Sequence, residues 1–258
     1  ITSHTKAIAA SPAYATAHYN LGNTLRAMGR YREAETRYRE AISLDSDHAS
    51  AQDSLLVCLF NQNKRSLFYE HLDDLVASKR ANAVVGSLTA RAALKYDVER
   101  PNIFCGEPLK YVLHADLKDK YDFKKLFSGV VADLLQSEKV SLRSQPLLTN
   151  GHQTFGNLFD IEKEVTAQIQ EIIRSEVENY RSYFLSSEEG LIKDWPSDYD
   201  LYGWLISMKS GGNLAPHIHD EGWLSGSIYI NIPPKIKAGS GNLVVAVGEE
   251  VDAADNTS

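Results

Sequence analysis

The chain has 258 residues, 43% of them hydrophobic, and a formal net charge of −7. That balance argues against non-specific binding to nucleic acid or to an anionic membrane, both of which need a basic surface, and the length allows a helical domain and a β-domain with a core each. Only two cysteines occur, Cys58 and Cys105; they fall in different predicted domains, so nothing suggests a disulfide framework, and a reducing, cytoplasmic setting is expected. There is no uninterrupted apolar run of the length that crosses a membrane.

From the N-terminus, residues 15–48 follow a 34-residue tetratricopeptide pattern, with Leu21-Gly22 in its first helix and Ala34, Tyr38 and Ala41 in its second. The small residues mark where two helices must approach closely. One period earlier lie Ala7-Ile8, with Pro12 in the slot that closes a repeat, so residues 1–14 are read as the tail of a preceding repeat. One period later Leu55, Leu59, Phe68, Leu72 and Leu75 keep helical spacing without the Gly and Ala signature. Residues 49–80 are therefore expected to be a degenerate repeat or a cap, and a further helix over 83–96 to bridge towards Pro101. Arg26, Arg30, Arg32, Arg37 and Arg39 alternate with Glu33, Glu35 and Glu40, which is the pattern of a solvated helix face. The domains are drawn at 1–97, helical repeats, and 98–258, a mainly antiparallel β-fold.

Within the second domain, Ile161, Val165, Ile169, Ile172, Val177 and Tyr180 outline one helix over 161–184. Residues 204–215 read as a strand, a Gly211-Gly212 turn and a second strand delivering His217. A further strand is expected over 227–232, then the turn Pro233-Pro234, then a strand over 242–247. Short strands with Gly and Pro punctuation indicate a sandwich or jelly roll. His217, His219, Asp220 and Glu221 place two imidazoles and two carboxylates within five residues. On an extended segment residues i and i+2 share a side, so His217 and His219 can face one cation, and imidazole suits Fe, Zn, Cu or Ni. His4, His18, His48, His71 and His114 stand alone on helical or connecting segments and are read as structural, and His152 as part of a turn or as packing at the rim.

The block "GGNLAPHIHDEGWLSGSIYINIP", with "NIFCGEPL", "SQPLLTNGHQTFGNLF" and "WPSDYDLYGWLISM" upstream, resembles the tetratricopeptide-repeat-linked 2-oxoglutarate/Fe(II)-dependent oxygenases over about residues 102–248, and more distantly the prolyl and aspartyl hydroxylases. The resemblance implies an α+β multidomain chain: helical repeats followed by a double-stranded β-helix, a cupin-like jelly roll. It implies a dioxygenase, a hydroxylase, that uses Fe(II), 2-oxoglutarate and O2. His217 matches the first iron ligand. His219 stands where prolyl hydroxylases have a carboxylate, so either His219 is the second metal ligand, making this pair the catalytic centre, or Asp220 or Glu221 supplies an oxygen. Ser225, Ser227, Met208 and Asn213 are placed near the cosubstrate. The family's distal His and its cosubstrate-gripping basic residue are without counterparts, since no His follows His219 and no Lys or Arg follows Lys237; the chain is accordingly expected to be truncated at both ends. Repeats beside an oxygenase imply a protein or peptide partner. The rival readings are Lewis-acid hydrolysis by zinc and a non-catalytic tetratricopeptide interaction protein carrying a cupin-like binding domain.

Overall fold

The structure, a computed structural model, describes residues 2–217, 219, 222–232 and 241–247. It comprises two compact units, Ile1–Gly106 with Glu189–Leu191, and Glu107–Glu188 with Ile192–Ser258.

The first unit is built from α1 (Thr2–Ala10), α2 (Ala15–Ala27), α3 (Tyr31–Leu44), α4 (Ala49–Asn61), α5 (Arg65–Ala77) and α6 (Ala83–Tyr96). Helices α2, α4 and α6 begin 34 residues apart, and α3 and α5 do the same. Residues 49–80 are thus a second hairpin in strict phase with the first, and the helix expected to bridge to Pro101 occupies the first-helix slot of a third repeat. The period survives the loss of signature because burial recurs even where identity does not. Ala17, Ala51 and Val85 are buried, as are Leu21, Leu55 and Thr89, each set spaced by 34. Tyr38 and Leu72 are likewise both fully buried.

Gly22 shows why the first repeat carries the family signature. A Cβ there would lie 2.5 Å from Tyr38 Cε1, so the ring of Tyr38 packs on bare backbone. The equivalent pair one period on is Leu56 and Leu72, both fully buried: a small-and-large combination has been exchanged for two middling side chains, which core packing tolerates when volume is kept. Successive hairpins are also tied by two acids, Glu35, which is buried, and Asp53, which is half-buried. Glu35 on α3 receives Lys64 at 2.6 Å, Gln62 at 2.8 Å and Arg39 at 3.1 Å. Asp53 on α4 receives Arg80 at 2.9 Å and Asn82 at 3.0 Å. For Glu35, burial is the strongest single influence and opposes ionisation, but the hydrogen bonds from Lys64, Gln62 and Arg39 together outweigh it and hold the carboxyl below its ordinary range.

The second unit holds a helical stretch, Lys124–Gly129 in π geometry running into α7 (Val130–Gln136), then β1 (Leu142–Arg143), β2 (Leu148–Thr154), α8 (Leu158–Ile161), the long α9 (Lys163–Tyr183) and β3 (Ile206–Leu214). α9 buries Thr166, Ile169, Ile172 and Tyr180. Val165, expected on that face, is exposed, and the inward position next to it belongs to Thr166, whose hydroxyl donates to the Glu162 carbonyl at 2.8 Å. Ile169 and Ile172 pack with Phe127, with Phe159 and Ile230 at the margin.

The sheet is antiparallel in the order β1-β2-β3. Residues 204–215 do not turn back at Gly211-Gly212. Met208 pairs with Gly151 and Asn213 with Thr149, so the residues between bulge out of a single strand opposite Asn150. Gly211, with φ +72°, and Asn150, with φ +50°, take the left-handed conformations this bulge requires. The strands expected over 227–232 and 242–247 are also corrected: the residues described there belong to no strand of the sheet. Ile230 instead tucks against the α9 core, while Ile228, Tyr229, Ile232, Leu243, Val244 and Val245 stay exposed. Among the described residues the β-structure is this one small sheet, and no helix is long and apolar enough to cross a membrane.

Two outcomes test the repeat packing. Gly22→Leu is expected to cost about 1–3 kcal/mol in chemical denaturation through overpacking against Tyr38, and adding Tyr38→Leu, which copies the 56/72 pair, should recover part of it. Because the folded-state value of Glu35 is depressed, its contribution is present above the unfolded value of about 4.3 and is lost as pH falls through the folded value. Glu35→Gln should flatten the acid limb of the stability curve, and Glu35→Ala should cost about 1–3 kcal/mol at neutral pH.

Candidate functional site

The site begins with the approach to β3. Thr154, at the end of β2 and buried, donates its N–H to the Leu205 carbonyl at 3.0 Å, and its Oγ1 accepts from Leu205 N at 3.0 Å. Asn157, the N-cap of α8, accepts from Gly203 N at 3.0 Å through Oδ1 and donates to the Leu201 carbonyl at 3.1 Å through Nδ2. Leu158 N donates to the Gly203 carbonyl at 2.8 Å. Gly203 also sits against Phe159, whose Cε2 would lie 2.5 Å from any Cβ. Trp204 is therefore held on both sides by immobilised peptides, with Tyr202 edge-on to its ring at 5.7 Å.

Beyond β3 the ladder continues for one residue, Ala215 N donating to the Leu147 carbonyl at 2.8 Å. The Ala215 carbonyl then lies 2.9 Å from Nδ1 of His217. A carbonyl only accepts, so Nδ1 carries the proton, and in the neutral imidazole Nε2 of His217 presents a lone pair. That Nε2 lies 2.9 Å from Nε2 of His219. Either a proton or a cation fits between two nitrogens at this spacing: a metal holding them at right angles about 2.1 Å away would separate them by about 3.0 Å. His219 is stacked on Trp204, ring centroids 5.0 Å apart and planes 10° from parallel.

The structure thus brings together His217 and His219. Asp220 and Glu221, the alternative oxygen donors, lie outside the described residues. Among the described residues no group of three or more His, Cys, Asp or Glu is arranged to hold a metal. Met208 and Asn213 lie on β3 on opposite sides of the bulge, and Ser225 and Ser227 on non-strand chain; all four are exposed. His217 is exposed and His219 half-buried.

Three of the isolated histidines have structural roles. His18 Nε2 contacts the Pro12 carbonyl at 2.9 Å, His48 caps α4 by accepting from Ala51 N, and His71 Nε2 contacts the Gln52 carbonyl at 2.9 Å. Burial, the largest influence, lowers the pKa of His71 and keeps it neutral. His152 lies on β2 opposite Ser207, not in a turn. Burial pushes the Cys58 thiol up to about 12, in keeping with a cysteine that packs in the repeat core. The residue that the sequence reading passed over is Trp204, noted only as the start of a strand; its signal is slight, an aromatic beside a glycine just ahead of β3.

Two family models match the chain. Tetratricopeptide repeat covers residues 15–48. The family described as "Putative 2OG-Fe(II) oxygenase" covers residues 202–256, which include Trp204, β3 and both imidazoles. The chain therefore joins a tetratricopeptide repeat to a 2OG-Fe(II) oxygenase-like segment. No curated protein matches it.

The anchoring predicts that Thr154→Val, which strips the acceptor from Leu205 N, costs about 1–3 kcal/mol and accelerates hydrogen exchange at the Leu205 amide relative to those of α9.

Proposed function

We propose that the chain is part of a 2-oxoglutarate- and Fe(II)-dependent oxygenase, a hydroxylase of a protein or peptide presented by the repeats in a reducing, cytoplasmic compartment. His217 and His219 hold the iron, with Asp220 or Glu221 as the oxygen donor, at the mouth of a double-stranded β-helix. The observation that carries this reading is the convergence of the two Nε2 atoms at 2.9 Å inside the segment matched to the oxygenase family.

The donor set fits a borderline divalent metal. The Ala215 carbonyl holds His217 in the tautomer whose Nε2 lone pair points at His219. When bound, Fe(II) supplies the redox centre at which O2 and 2-oxoglutarate are consumed. Ser225 and Ser227 offer hydroxyls to the cosubstrate carboxylate, and Met208 and Asn213 border it from β3. The repeats supply the recognition surface, since stacked helical hairpins of this kind generally mediate protein–protein interaction. The exposure of His217 favours a second reading, a non-catalytic interaction protein whose β-domain only binds a ligand.

Anaerobic titration with Fe(II), followed by 2-oxoglutarate, separates the two. For the full-length protein, the oxygenase reading expects stoichiometric iron, a visible charge-transfer band on adding 2-oxoglutarate, and succinate on admitting O2. His217→Ala should abolish iron binding. His219→Ala should weaken it by more than about 100-fold, beyond the 10–100-fold that loss of an outer hydrogen-bond partner costs. Retention of iron in His219→Ala together with its loss in Glu221→Ala would move the second ligand to Glu221. Iron binding without the band or succinate would leave the binding-module reading.

A further inference from the structure

The two imidazoles are held by different devices. His217 is fixed through its own ring nitrogen, by the Ala215 carbonyl at 2.9 Å. Among its described contacts, His219 lies flat on an indole, 5.0 Å between centroids and 10° between planes. Tilted contacts are the common outcome of aromatic packing in this chain: Tyr19 on His48 is at 43° and His217 on His219 at 40°. A nearly parallel stack fixes the plane of a ring, and with it the direction of the Nε2 lone pair.

The backbone that carries the indole is anchored for reasons independent of His219. The peptides on both sides of Trp204 are bonded to Thr154, Asn157 and Leu158, and Gly203 is pressed on Phe159. His219 lies on chain outside any strand. A ring on irregular chain is thereby referred to the same sheet that carries Ala215 and His217.

We propose that Trp204 is the positioning residue of His219: its indole face sets the imidazole plane so that Nε2 meets Nε2 of His217 before any cation arrives. This rests on reading His217 and His219 as metal ligands. It gives Trp204 a role that packing alone would not require, because an apolar side chain of similar reach would fill the same half-buried place but fix no plane.

Trp204→Leu and Trp204→Phe separate the flat ring from mere bulk. In the metal-free protein, proton NMR should show the His219 ring protons, identified by their loss in His219→Ala, shifted upfield by the indole. The shift should persist, reduced, in Trp204→Phe and vanish in Trp204→Leu. Titration with Co(II), an imidazole-binding probe stable in air, should give an affinity 10–100-fold weaker for Trp204→Leu, the range found when a group orienting a ligand is lost. Trp204→Phe should stay within about 3-fold of wild type, well below that range. If Leu does not fold at position 204, Trp204→Met fills the space with a flexible chain and serves the same comparison. Wild-type Co(II) affinity in a folded Trp204→Leu or Trp204→Met, with affinity lost in His219→Ala, overturns the positioning role and leaves the metal reading intact. Equal weakening in Trp204→Phe and Trp204→Leu overturns it as well. Wild-type affinity in both His217→Ala and His219→Ala overturns the metal reading on which it rests.

Discussion

Five hydrogen bonds from Thr154, Asn157 and Leu158 to the backbone of residues 201–205 hold the approach to β3, and the geometry of the imidazole pair depends on them. Thr154 is buried, so its hydroxyl and N–H have no water to turn to if the pairing fails. That cost makes the register firm just where the chain leaves α9 and its following loop for the sheet. From there β3 runs antiparallel to β2, its bulge absorbed at Gly211 opposite Asn150, and delivers Ala215 and His217 at the far end. Trp204 precedes the strand and His217 follows it, and His219 contacts both.

The repeat unit rests on a different constraint, periodic burial. Each 34-residue step presents the same inward positions, and these are satisfied by Ala or Val, by Leu or Thr, or by Tyr or Leu, provided the pair across the hairpin fills the space. The Glu35 and Asp53 clusters act between hairpins and add direction to packing that is otherwise apolar. Their cationic partners are semi-exposed Lys and Arg, and at Glu35 the hydrogen bonds outweigh burial and hold the carboxyl below its ordinary range.

The oxygenase-like segment contrasts with this. Past β3, the described residues carry exposed Ile228, Tyr229, Ile232, Leu243, Val244 and Val245, side chains whose composition suits a strand buried on at least one face. Ile230 alone of the 227–232 stretch reaches a core, that of α9. The proposed β-helix would give these residues the neighbours their composition suits. The imidazole pair, by contrast, already has its converging geometry just past the three-stranded sheet.

Local chemistry was legible in the amino-acid order. The 34-residue phase, the α9 helix to within two residues at each end, and a pair of imidazoles after a strand all follow from periodicity and spacing, which act between residues near in the chain. Three things were decided only by tertiary structure. Residues 49–96 are repeats in phase because buried positions tolerate exchange of volumes across a hairpin, as from Gly22 and Tyr38 to Leu56 and Leu72, and a single sequence does not show which volumes face each other. Gly211-Gly212 bulges where a turn was expected because β2 is present to pair with both halves of β3; a glycine pair permits either, and the partner strand chooses. Trp204 meets His219 across fifteen residues through a stack that leaves no spacing rule behind, so only the folded sheet reveals which aromatic holds the ring.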